Sequence, residues 1–169
     1  MENKTFSITA YGKLKDNNFK WNEWYEDAKQ FILSTGYVYN YVGIDSKSMK
    51  SGKIMNAKKY ERKVLDAFQN NEQIKHISLF SLPIDYESAS FDYDIMLVRN
   101  DEFISLIMNK SDYSKEILEQ FTFHFKKYFE SAIVELYEMD RYESPLLYAA
   151  KVNELSSFQT LNIAGVIQW

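Results

Sequence analysis

Cysteine is absent from the 169 residues, and with it go a disulfide framework, a thiolate nucleophile and every zinc site built on sulfur. Only five glycines occur, too few and too scattered for a dinucleotide fingerprint or a Gly-x-Ser-x-Gly elbow. A phosphate loop would need a glycine five positions before Gly52-Lys53, and that position is Lys47. Neither histidine, His76 or His124, has a partner at ligand-pair or triad spacing, so both read as hydrogen-bonded residues at the edge of a core. No apolar run approaches the ~20 residues that span a bilayer. The start, Met1-Glu-Asn-Lys-Thr-Phe-Ser-Ile-Thr9, alternates where a secretory signal needs about 7 to 15 apolar residues in succession. Cytoplasmic placement, no membrane and no cofactor are the expectations.

What is present is the composition of a folding chain, with 46% hydrophobic and 26% charged residues. A net charge of -4 argues against general nucleic-acid binding, which depends on clustered Lys and Arg. The charge is uneven. Residues 45–63 carry seven basic and two acidic side chains, whereas Asp85, Glu87, Asp92 and Asp94 stand together with no base between them. A positive end and a negative end are expected. Aromatics are 17% of residues, enough to supply a large core and to leave Tyr for an interface.

Periodicity predicts one domain over residues 1–169, because neither a linker nor a repeat interrupts it. Phe6, Ile8 and Ala10 alternate with Thr5, Ser7 and Thr9, the mark of a half-buried strand. Trp21, Trp24, Tyr25, Ala28, Phe31 and Ile32 fall at helical spacing before Gly36. A strand over 37–44 would put Tyr37, Tyr39 and Tyr41 on one face. Ala57, Tyr60, Val64, Ala67 and Phe68 define a second helix that ends at Asn70-Asn71, and extended segments follow at 74–82, 91–98 and 102–108. A third helix, capped at Ser111 or Asp112, carries the stripe Ile117, Leu118, Phe121, Phe125, Tyr128, Phe129 and Ala132. It would place Phe123 on the opposite face, packed on another part of the chain or meeting a partner. A strand at 133–139, a short helix from Pro145 and a last strand near 158–167 complete the pattern. The expected class is α+β, a mixed, mostly antiparallel sheet with three main helices packed on one side.

The run Ile77-Ser-Leu-Phe-Ser-Leu-Pro83 followed by Ser90-Phe-Asp-Tyr-Asp-Ile-Met-Leu-Val98 resembles the nucleotidyltransferases, where a strand ending in Leu-Phe-Gly-Ser leads to an Asp-x-Asp strand. The resemblance implies Mg²⁺ held by Asp92 and Asp94, with Glu135 as a third ligand. Ser81 and Leu82 replace the Gly-Ser pair, which removes both the close backbone approach to phosphate and the hydroxyl. Without that function, Asp92 and Asp94 are the outward face of a strand whose inward face is Phe91, Tyr93, Ile95 and Leu97, and no metal is bound.

Over its whole length the chain resembles the small immunity proteins that bacteria encode beside polymorphic toxins. The resemblance rests on the acidic cysteine-free domain, on Tyr37-Val-Tyr-Asn-Tyr-Val-Gly-Ile-Asp45 and on Leu79 to Asp94. It implies direct binding to a cognate toxin with a basic surface, and no catalysis, but it carries over no individual residue. The charge pattern selects the partner-binding candidates: Asp85, Tyr86, Glu87, Asp92, Asp94, Tyr137, Glu138 and Asp140, with Glu143 and Tyr93 beside them.

Overall fold

A computed structural model describes residues 3–15, 20–50 and 53–169. Gly52 of the failed phosphate loop lies outside them, as do Met1 and Glu2. Among the described residues, eight strands form one sheet in the order β3-β2-β4-β5-β6-β1-β7-β8. These are β1 (Lys4–Leu14), β2 (Tyr41–Ser46), β3 (Met55–Asn56), β4 (Ile74–Ser81), β5 (Ile95–Arg99), β6 (Phe103–Asn109), β7 (Phe129–Asp140) and β8 (Asn162–Gln168). The helices are α1 (Lys20–Ser34), α2 (Ala57–Gln69), α3 (Lys115–Phe125) and α4 (Pro145–Ala149). The fold is α+β.

Every neighbouring pair is antiparallel, where a mixed sheet was expected. Strands joined across α1 or α3 do run in the same direction. They never pair, because β4, β5 and β6 separate β1 from β2, and β1 separates β6 from β7. Gly12 marks the tightest approach of β1 to β7, since a Cβ there would lie 2.1 Å from the Ser131 carbonyl oxygen.

The apolar period of α1 buries Trp24, Tyr25, Ala28, Phe31 and Ile32. Gly36, at φ 88°, takes the left-handed conformation that ends the helix. Phe31 meets Phe121 and Phe125 of α3 edge-to-face at 5.9 and 5.3 Å. Each such ring contributes about 1.5–3 kcal/mol by leaving water. Together with α2 these helices cover the sheet face made by Phe6, Ile8, Ala10, Leu79, Leu97 and Leu106.

Three local expectations differ from the structure. The third helix stops at Phe125, and Phe129 and Ala132 already belong to β7, because the long ladder with β1 outcompetes a spacing that also suits a helix. Residues 37–40 are not a strand, so the tyrosines disperse. Tyr37 donates to Asp112 Oδ2 at 2.7 Å and Tyr39 to Glu61 Oε1 at 3.0 Å, whereas Tyr41 packs across the sheet on Tyr86 at 5.2 Å. Lastly, α4 lies on the face opposite α1–α3, where Tyr148 meets Tyr137 at 4.5 Å and Ala149 joins Phe80, Met96 and Ile107.

That cover explains why Thr5, Ser7 and Thr9 are wholly buried instead of facing water. Thr9 Oγ1 and Ser105 Oγ share a 2.6 Å hydrogen bond, and Thr5 Oγ1 donates to the Met139 carbonyl. Burying such hydroxyls without partners would cost about 1–3 kcal/mol each. No described helix is long and apolar enough to cross a membrane.

Candidate interaction surface

The segment from Leu82 to Asp94 leaves β4, crosses the α4 side of the sheet and returns into β5. Its ends are closed by chemistry already visible in its residue types. The Asn40 side chain brackets Leu82, donating to its carbonyl at 2.7 Å and accepting its N–H at 2.9 Å. Asp94 N–H donates to the Ser81 carbonyl at 2.9 Å. Inside the loop, Asp92 Oδ2 accepts the N–H groups of Glu87 at 2.9 Å and Ser88 at 2.6 Å. An aspartate closing its own loop is a common use of that side chain. These bonds favour the carboxylate and hold Asp92 below the ordinary aspartate range.

Asp92 and Asp94 therefore precede β5 in a turn and do not share one face of a strand. Glu135 lies on β7, with β6 and β1 between it and β5, and accepts the Tyr148 hydroxyl at 2.7 Å. The three carboxylates of the metal reading are not brought together. Among the described residues no group of three or more His, Asp or Glu is placed to hold a metal ion.

Beneath the loop sits Arg141, in the turn after β7. Its Nη1 donates to the carbonyls of Phe91 at 2.5 Å and Tyr93 at 2.7 Å, its Nη2 donates to Asn109 Oδ1, and its guanidinium lies 4.7 Å from the Tyr93 ring. Arg141 is only 7% exposed. Two backbone carbonyls and one side-chain amide oxygen on a single guanidinium fork are held in a way that an ammonium could not reproduce. Sequence reasoning missed this residue; the signal was a single arginine between Asp140 and Glu143 in an acidic stretch.

The result is a cleft of about 310 Å³ lined by Asp85, Tyr86, Phe91, Asp94, Arg141 and Tyr142 among others. Burial pushes the Asp94 carboxyl up, the charges of Asp112 and Asp85 push it further, and Arg141 opposes them. Of the sequence candidates, Asp85, Tyr86, Asp92 and Asp94 meet here, with exposed Glu87 in the same loop. Ile84, missed by sequence reasoning, projects fully into solvent at 105% of its reference exposure. Its signal was an isolated isoleucine after Pro83 in a polar loop.

The remaining candidates serve other ends. Tyr137 is wholly buried and donates to the Pro145 carbonyl at 3.3 Å, so it cannot anchor a partner. Tyr93 is core as well. Glu138 pairs with Lys110 at 3.0 Å, Asp140 accepts the Tyr142 N–H at 2.9 Å, and Glu143 accepts the N–H groups of Gln159 and Thr160. His124 stands 4.0 Å from Asp27, and burial lowers the proton affinity of both histidines. Phe123 is 77% exposed, and the chain's final segment does not cover it. The basic and acidic stretches, expected at opposite ends, are tied to one residue: Asn40 also accepts the Ala57 N–H at the start of α2.

A larger cleft of about 1050 Å³ lies beside Lys13, Lys15, Trp21, Phe68, Glu72 and Arg99. Two of its charges, Arg99 and Glu72, serve the fold. Arg99 lies 4.2 Å from the Trp21 ring, with its pKa lowered to about 10 by burial, and Glu72 accepts from Ser46 and Ser48. No family model, curated protein or solved structure matches this chain.

Proposed function

We propose that the chain is an immunity-type protein of the bacterial cytoplasm that neutralises a cognate toxin by seating the loop 83–94 against a basic surface of that toxin. The observation that carries this reading is Ile84, a fully exposed aliphatic side chain on a braced loop that also carries Asp85, Glu87 and Asp94. An apolar anchor rimmed by like charges is how an interface centre meets its rim. Burying Ile84 in a partner would gain about 1.5–3 kcal/mol, and the bracing lowers the ordering cost of the loop. A toxin that acts on an anionic substrate has a cationic cleft, which the carboxylates would fill and toward which they would steer.

The test is purification of a stoichiometric partner from the native host with the wild-type chain as bait, followed by assay of that partner's activity. Inhibition by the wild-type chain, weakened in Ile84→Asp, supports the reading. A partner whose activity is unaffected, or inhibition equal for both chains, overturns it.

A further inference from the structure

The two edges of the sheet are finished differently. At one end β3 has only two residues, Met55 and Asn56, a short edge that offers little to another chain. At the other, β8 runs for seven residues, Asn-Ile-Ala-Gly-Val-Ile-Gln, with neither a charge nor a proline. Lysine, proline or an inward charge are the usual ways of keeping such an edge from pairing, and β8 has none of them. Ala132 and Trp169 exchange reciprocal backbone bonds, at 2.8 and 3.4 Å, next to the end of β8. Antiparallel alternation then turns the N–H and C=O groups of Gln168 and Val166 away from β7. The register shift opposite Leu136 and Tyr137 confines the regular edge to Gly165–Gln168.

The side chains around this edge are apolar and exposed. Val166 is 62% exposed, Ile163 46%, and Ile133 on β7 52%. Cross-strand pairing sets Val166 opposite Glu135 and Ile163 opposite Tyr137, so they share the face that carries α4. We infer that β8 is a homodimer edge, pairing antiparallel with β8 of a second copy about a two-fold axis. Neutrality selects that occupant. Across a two-fold axis a residue near the centre lies close to its own copy, so a charged side chain there would approach a like charge, and from Leu161 to Trp169 there is no charged side chain. The inference is independent of the toxin reading, which uses the loop at 83–94.

Sedimentation equilibrium of the full chain over about 1–200 µM tests it against Val166→Lys, with circular dichroism to confirm folding. Val166→Lys would set the ammonium beside Glu135 on the neighbouring strand, which suits the folded monomer, while in the dimer two such lysines would lie near the axis and repel. The wild type should shift from monomer to dimer within that range, and Val166→Lys should weaken the dimer roughly tenfold or more. Ile163→Lys serves as the second variant should the first fail to fold. A wild-type chain that stays monomeric, or dimers unweakened by either folded lysine variant, would overturn the inference.

Discussion

Replacing Arg141 by methionine keeps an unbranched stem as far as the position of Nε and removes the fork beneath the acidic loop. The Tyr93 carbonyl is left buried without its donor, at about 1–3 kcal/mol, and the Phe91 carbonyl and Asn109 Oδ1, which are partly accessible, lose less. Relief from burying a guanidinium offsets part of this. A net loss of about 3 kcal/mol is expected, measured by urea unfolding at neutral pH with an unchanged m-value. Lysine at 141 restores a charge but not the planar fork, and should recover less than half of the loss. Amide exchange should quicken across residues 86–93 and stay slow in β5. Stability within about 0.5 kcal/mol of wild type, or full rescue by lysine, would refute the view that planar hydrogen bonding holds the loop.

Asp94→Asn should raise the melting temperature at pH 7. The folded state lifts the Asp94 pKa above its unfolded value, so stability is greatest below the unfolded pKa and falls as pH rises through the folded one. The gain should therefore vanish near pH 3, and a gain that persists there would point to a cause other than charge. Phe123→Ser, at a position three-quarters exposed, should change unfolding free energy by no more than about 0.5 kcal/mol, and a larger loss would mean that the ring packs on the chain in solution.

Much of the fold was legible because it rests on local periods. The spacing of Trp24, Tyr25, Ala28, Phe31 and Ile32 admits only a helix, and Phe6, Ile8 and Ala10 only a strand. Where two periods fitted, long-range pairing decided: Phe129 and Ala132 suit a helix but form the ladder to β1. Thr5, Ser7 and Thr9 looked solvated because nothing local announces that α4 will cover them. The acidic loop was visible as a charge pattern, and Asp85, Asp92 and Asp94 line one cleft. Its division of labour was not, since Asp92 closes the loop, Arg141 arrives from a turn some 50 residues later, and Ile84 carries no periodic signal at all.

The most direct test of the acidic loop as the partner-binding surface is the association rate of the co-purified partner with the triple variant Asp85→Asn, Glu87→Gln, Asp94→Asn. Asp92 is left intact because it closes the loop. Stopped-flow measurements from low to high salt should show the variant associating roughly tenfold more slowly than wild type at low salt, with the difference shrinking as salt screens the wild-type charges. Equal rates for the two chains at every salt concentration would place the partner on another face.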